Sequence, residues 1–322
     1  VCSKNKSSAT VITEGFIETA SFPVPLFFRP SFVYRKGKAN IHSFQLEEFH
    51  TGAKAIAHFF IDHSHHAWSL PASPFGSVYV NASCQSDLLC HFIKEIKVSL
   101  IKKNVQSITV KHFPACYNQH VHDITLHALL ASDFNVTCTE LNQYLPLHTL
   151  SKKETFDQSK LHLIKKCKEA GFHVTISSTC NAEEWFDIIV RARRLRGHPM
   201  TIDLQGLRSL TDGNAECYHF FEVKNEDKII SCAIGVQVSE DVMYYYLAAD
   251  EDAYRSYSPM TFLLDSMYDF ACEKNMKILD MGISSSQGIV NEGLRWFKKS
   301  FGSLEEPKFT LKWNASSEQT LG

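Results

Sequence analysis

Between Ala248 and Gly302 the chain reads AADEDAYRSYSPMTFLLDSMYDFACEKNMKILDMGISSSQGIVNEGLRWFKKSFG. Ser258 and Pro259 make an N-cap and first-turn pair. Leu263, Leu264, Met267 and Ala271 then recur on one helix face, which predicts a helix to about Lys274. Lys277 to Met281 is a short apolar strand that stops at Gly282. Val290, Leu294, Phe297 and Phe301 follow at i, i+4, i+7 and i+11. That spacing predicts a second helix with this stripe in the core and Gly302 as its stop.

Upstream, Tyr218–Val223, Lys228–Val238 and Val242–Ala248 read as three strands of a meander, with turns at Asn225-Glu226-Asp227 and Ser239-Glu240-Asp241. Before them come a charged amphipathic helix from Ser151 to Ala170, stopped by Gly171, a strand from Phe172 to Ser177 and a helix from Ala182 to Arg196. Downstream, Lys308–Trp313 is a last strand. From Ser151 the order is therefore α, β, α, then β-β-β-α-β-α-β. The first half also alternates: strands at Ala53–Ile61, Ser77–Val80 and Gln106–His112, helices at Cys84–Lys103 and Val121–Ala131, and a β-rich run from Asp133 to Glu140 that Pro146 closes. An α/β class with a mixed sheet follows, in two domains at 1–150 and 151–313, with a loose tail at 314–322.

The bulk properties exclude several classes. With 33 basic and 35 acidic residues in 322, the chain lacks the basic excess of a general nucleic-acid binder, so no DNA partner is expected. No apolar run approaches the length of a membrane span, and the polar start from Val1 to Thr10 is not signal-like, so a soluble, cytoplasmic protein is expected. Ten cysteines stand singly, without a C-x-x-C pair, and read as free thiols.

The 248–302 segment resembles the Fem-type, peptidoglycan-bridge-forming (FemAB-like) branch of the GNAT acyltransferase superfamily. The resemblance rests on a Tyr-Arg segment before a helix (Tyr254-Arg255), an Asp-x-Gly strand end (Asp280-Met281-Gly282) and a Gly-Leu-x-x-Phe-Lys-x-x-Phe-Gly helix. Gly293, Leu294, Phe297, Lys298, Phe301 and Gly302 supply the last of these. Ser73-Pro74-Phe75-Gly76 and the run from Lys160 to Val174 are similar to weaker features of the same group. The resemblance implies two GNAT-like domains in tandem, the first degenerate. It also implies acyl or aminoacyl transfer to an amine of a cell-wall, polysaccharide or small-molecule acceptor.

It further implies site residues. Lys298, beside Phe297, is the lysine that in such proteins stabilises charge in the transition state. Asp280, at a strand end, orients an amine, serves as a base, or is simply a turn-forming carboxylate that caps Ser284 to Ser286. Tyr254, Arg255, Ser256, Tyr257 and Ser258 occupy the donor loop, and Tyr245 lies in the strand that borders the donor. Ordinary acetyl-CoA users cradle the pyrophosphate on the backbone of a glycine-containing loop at a helix N-terminus. Here Arg255-Ser256-Tyr257-Ser258-Pro259 has no glycine, and Pro259 has no N–H. The donor is left between an acyl-CoA and an aminoacyl-tRNA. The long helical hairpin that some relatives use for tRNA is absent between Ser151 and Gly302.

Two other readings remain. A non-catalytic GNAT-fold binding module that lost the donor loop is the alternative to the enzyme. Asp62, His63, His65 and His66 resemble zinc ligands, but their spacing fits no zinc motif and a histidine-rich surface loop is expected, with no metal.

Overall fold

The computed structural model describes residues 10–70, 73–148, 151–197 and 199–315. The expected tail lies mostly outside them. Contacts divide the chain into one unit up to Glu140 that is rejoined by the strand from Pro307, and a second from Leu141 to Glu306. The sequence places the boundaries near 150 and 313 instead. The difference arises because the last strand pairs back into the first unit, which no local pattern reports.

The first unit contains β1 (Thr10–Glu14), α1 (Pro30–Val33), β2 (Ile41–Glu48), β3 (Lys54–Ile61), β4 (His66–Trp68) and β5 (Val78–Val80). It continues through α2 (Ser86–Lys102), β6 (Ser107–Lys111), α3 (Gln119–Ala131) and the start of β7 (Asn135–Pro146). Its sheet runs β1-β2-β3-β4-β6, with β5 also on β3 and the last strand on β6. Among the described residues β1–β2, β2–β3, β3–β4, β3–β5 and the pair of β6 with the last strand are antiparallel, and β4 with β6 is parallel. Leu89, Phe92, Ile93, Ile96 and Leu100 recur along α2 at three- and four-residue steps and are buried, as the helical period requires.

The second unit begins with the end of β7 and continues through α4 (Lys152–Thr155), α5 (Gln158–Glu169), β8 (His173–Ser177), α6 (Ala182–Leu195) and α7 (Leu204–Arg208). The meander β9 (Tyr218–Asn225), β10 (Lys228–Gln237) and β11 (Val242–Asp250) follows. Then come α8 (Pro259–Glu273), β12 (Ile278–Ile283), the small hairpin β13 (Ser285–Ser286) and β14 (Ile289–Val290), α9 (Glu292–Lys299) and β15 (Leu304–Asn314). The sheet order here is β7-β12-β11-β10-β9-β8. Among the described residues of this unit β11 and β12 are the parallel pair; Val242, Met243 and Tyr244 face Ile278, Leu279 and Asp280. The core holds Leu145, Phe172, Phe221, Met243, Leu263, Met267, Leu279 and Phe301.

The single helix expected from Ser151 to Ala170 is two. Ser151 and Glu154 close a capping box on α4. Phe156 then turns extended and is buried, its ring 5.1 Å from Phe301 and 5.4 Å from Tyr268. Burial of that ring overrides continuation of the helix. β1, β2, the β13–β14 hairpin and α7 were not anticipated. No helix among the described residues is long and apolar enough to cross a membrane. The nine described cysteines are free thiols.

Candidate functional site

β11 and β12 part at their carboxyl ends, where ligand crevices form in α/β sheets. Pairing between them ends at Tyr244 and Asp280. Beyond that point β11 runs on to Asp250, interrupted by a bulge against β10 where Leu247 takes a left-handed φ of 50°. β12 turns at Gly282, whose φ is 72°. A Cβ there would lie 3.2 Å from the Tyr244 ring, so both backbone angle and space call for glycine. Asp280 is buried and holds this turn, its Oδ1 accepting from Gly282 N at 2.8 Å and from Asn142 Nδ2 at 3.1 Å.

Lys298 reaches the same turn from α9. Its Nζ donates to Gly282 O at 2.8 Å and Ile283 O at 2.9 Å, and the residue is 2% exposed. The sequence reading places Val290, Leu294, Phe297 and Phe301 in the core and turns Lys298 sideways. Of the four, only Phe301 is fully buried: Val290 lies in β14 at 36% exposure, Leu294 is 38% exposed and Phe297 is half-buried. Asn291 Oδ1 caps Leu294 N and starts the helix there, so α9 is too short to carry the stripe. Its inward face is the i, i+3 pair Lys298 and Phe301. Phe297 rests on Phe301 at 5.4 Å, with the Lys160 ammonium 4.3 Å from its own ring centroid.

The donor-loop residues leave the same end of β11. Tyr254 meets Phe172 edge-on at 5.9 Å and Tyr257 lies tilted to it at 5.1 Å, both half-buried, whereas Arg255 and Ser256 are exposed. Ser258, at φ 53°, begins α8. Its N–H donates to Arg255 O at 3.0 Å and its carbonyl accepts from Thr261 N at 2.8 Å. Two of the amides an anion would use are therefore engaged, and Pro259 has none to offer. Tyr245 turns to the α8 side and donates its hydroxyl to Met260 Sδ at 3.0 Å. Basic groups ring the loop: Lys166 Nζ donates to Ser256 O at 2.9 Å, Lys228 lies 5.4 Å from the Tyr254 ring, and Arg191 pairs with Glu251 at 2.5 Å. Asp250, 4.0 Å from Arg196, has its carboxyl pushed above the usual range, chiefly by burial.

Sequence reasoning missed the polar cluster behind Asp280. Asn142, Gln143, Ser284 and Ser303 are all buried. Ser284 Oγ donates to Gln143 Oε1 at 2.5 Å, and Gln143 Nε2 to Ser303 Oγ at 3.1 Å. Arg295 forks onto both oxygens of Glu305 at 2.8 and 2.9 Å and holds that carboxyl below its ordinary range. The available signal was Leu141-Asn142-Gln143-Tyr144-Leu145, two amides inside an apolar β-run.

In the first unit, Asp62, His63, His65 and His66 form the β3–β4 hairpin turn. Asp62 accepts from Ser64 N at 2.9 Å, His66 N at 3.0 Å and Trp68 Nε1 at 2.9 Å. The His66 ring is engaged by Ser107 and Thr109. Among the described residues no group of three or more His, Cys, Asp or Glu side chains is placed to hold a metal ion.

Residues 163–288 match the family model of an acetyltransferase (GNAT) domain. The fold is similar to the crystal structure of FemX, with a TM-score of 0.66 and 13% identity over 90% of this chain and 92% of that one. It is also similar to L-PGS from Bacillus licheniformis, with a TM-score of 0.56 and 11% identity over 81% of each chain. A tandem GNAT protein from the clavulanic acid biosynthesis pathway aligns with a TM-score of 0.50 and 8% identity over 86% of this chain and 83% of its own. No curated protein matches by sequence. With the parallel pair parted at its carboxyl end, these likenesses agree on one fold: residues 163–288 match a GNAT acetyltransferase domain, and the chain has a mixed α/β fold similar to those of FemX and of a tandem GNAT protein.

Proposed function

We propose that the chain is an N-acyltransferase that moves an aminoacyl group from a tRNA ester to an amine, with its chemistry at the parted ends of β11 and β12. The observation that carries the reading is the buried pair at that split, the Asp280 carboxylate and the Lys298 ammonium, both tied to the Gly282 turn. In such a transfer the amine nitrogen attacks the ester carbonyl, a C–N bond forms, the C–O bond breaks and the departing hydroxyl takes up the proton. Lys298 supplies positive charge near the developing oxyanion and Asp280 orients the amine. Phe297 holds α9 against the core.

The donor follows from the loop. Its engaged amides and Pro259 disfavour the pyrophosphate of CoA, while Arg255, Lys166, Lys228, Arg191 and Arg196 gather basic charge suited to a nucleic-acid carrier. Tyr254, Tyr257, Ser258 and Tyr245 set the loop's shape, and Ser256 and Arg255 meet the donor. A charged-tRNA donor would set the reaction in the cytoplasm, with a small-molecule or cell-envelope precursor as acceptor.

The test incubates purified protein with radiolabelled aminoacyl-tRNA or acetyl-CoA and a panel of amines. Transfer from aminoacyl-tRNA alone is expected. A dissociation constant for acetyl-CoA below about 10 μM, roughly -7 kcal/mol, would overturn the donor assignment. The same engaged loop also suits a binding module that has lost catalysis, and absence of transfer from either donor would favour that reading.

A further inference from the structure

A lysine stands on α5 where a hydrocarbon is expected. The buried residues of that helix are Lys160, Ile164 and Cys167, at i, i+4 and i+7, the inward stripe of an amphipathic helix. Lys160 is 9% exposed. Among the described residues its ammonium makes no hydrogen bond and no ion pair; what it meets is aromatic. Nζ lies 4.3 Å from the Phe297 ring centroid and 5.3 Å from that of Phe301, the two phenylalanines that flank Lys298. Burial lowers the pKa of this ammonium from its ordinary value, and the Asp157 carboxylate at the helix N-cap offsets only part of that. A methionine of the same length would fill the space without desolvating a charge, so packing alone does not call for a lysine here.

The ring it sits on belongs to a helix that cannot place itself. α9 has eight residues, too few to be stable without tertiary contacts, so side-chain grips decide its position. Arg295 grips Glu305, Lys298 reaches out to the Gly282 and Ile283 carbonyls, and Lys160 reaches in from α5 to Phe297. The other end of α5 holds the donor loop: Lys166 Nζ donates to Ser256 O at 2.9 Å, and Cys167 Sγ to Tyr257 O at 3.3 Å. One helix therefore braces both the loop and the helix that carries Lys298.

We propose that Lys160 is a positioning residue: its ammonium, seated on the Phe297 ring, keeps α9 and with it Lys298 in register with the donor loop. Its part in a reaction rests on the role given to Lys298 in the function proposed above. Small displacements of a group that meets a transition state cost rate without costing affinity, so the effect belongs in kcat rather than KM.

The experiment compares the full chain with Lys160→Met, which keeps the length and drops the charge, and Lys160→Arg, which keeps a cation able to stack on a ring. Lys160→Met should lower kcat for transfer about tenfold with KM within about twofold, and Lys160→Arg should restore kcat to within about threefold of the parent. A purely structural side chain predicts the opposite order, with the apolar methionine tolerated and the bulkier arginine harmful. A second readout does not need the reaction. In chains labelled with 15N-lysine, the ammonium signal that Lys298→Met removes reports how firmly Lys298 is held by its two carbonyls. Its proton exchange with water should quicken about tenfold in Lys160→Met and return toward the parent rate in Lys160→Arg. Full kcat in Lys160→Met, an arginine no better than methionine, or unchanged Lys298 exchange would overturn the positioning role. Absence of transfer by the parent chain from any donor would sink the acyl-transfer reading instead, and the exchange rates alone would then decide whether Lys160 positions Lys298.

Discussion

Among the described residues each unit has a parallel strand pair, β4 with β6 and β11 with β12, and the two pairs end differently. In the first unit β4 and β6 pair from His66 and Ser107 to Trp68 and Thr109, and the chain then zips them further. Ser69 N donates to Thr109 O at 2.9 Å, Ser69 Oγ accepts from Lys111 N at 3.0 Å, and Gly76 N donates to Lys111 O at 2.9 Å. A Cβ on Gly76 would sit 2.1 Å from Ser69 O, so the closure depends on that glycine. Phe75 then plugs the end, its ring 5.0 Å from Phe27, 5.3 Å from Tyr117 and 6.4 Å from Phe113. In the second unit pairing between β11 and β12 stops at Tyr244 and Asp280, and beyond it the Gly282 and Ile283 carbonyls accept from Lys298. The same sheet layout supports a sealed end or a parted one. Which it is depends on a few side chains, so the two units are told apart by what fills the split.

The sharpest way to break this comparison is to unplug the sealed end. Phe75→Ala should cost about 3 to 5 kcal/mol by denaturant unfolding through the cavity it leaves, with kcat for transfer unchanged in the folded fraction. A lower kcat with intact stability would mean that the first unit takes part in the chemistry. Next is Lys298→Met, which should slow transfer about 100- to 1,000-fold. The ammonium is buried rather than at the surface, so melting should fall as well, by about 1 to 3 kcal/mol for two carbonyls left unmatched. A full rate in folded Lys298→Met would reduce the residue to architecture.

Acid should then separate the two units. His58 is buried, hydrogen-bonded to Ser43 Oγ at 2.7 Å, and burial lowers its pKa to about 4; His112, also buried and bonded to Ser77 Oγ at 3.0 Å, is lowered to about 3. In the unfolded chain both titrate near 6.5. Below that pH the unfolded state binds protons that the folded state refuses, so stability is complete above about pH 6.5 and declines as pH falls. At pH 5 each histidine should cost about 2 kcal/mol, and hydrogen exchange should show the first unit losing protection before the second. Equal losses in both would mean that these histidines do not govern acid stability. The smallest effects belong to α9's outer face. Trp296→Ser, at a residue 66% exposed, should shift stability by less than about 0.5 kcal/mol in a thermal melt. Phe297→Ala, at a half-buried ring, should cost about 1 to 2 kcal/mol.

Much of this was legible because it is local. The Ser258-Pro259 start of α8, the meander turns and the parallel β11–β12 pair follow from period, caps and chain order. The burial of Lys298 was not legible, since α9's hydrophobic spacing points elsewhere and the receiving carbonyls of Gly282 and Ile283 carry no side-chain signature. Asn142 was hidden for a related reason: it lies 138 positions before Asp280, and only strand register brings the two together. Tyr244 and Tyr246 were separable from Tyr245 by alternation, but which face was open depended on where α8 lay.

The return of β15 to the first unit has a consequence for how the chain is made. β6 takes its partner through Thr310 to Asn314, opposite Lys111 to Ser107. On the ribosome that partner emerges only after every residue of the second unit has been synthesised. Until then one edge of β6 offers bare amides and carbonyls to any passing strand. A chain cut just before Pro307 would keep Asp280, Lys298 and the Gly282 turn yet leave that edge open for good. Its defect should appear as precipitation during expression rather than as a slower reaction.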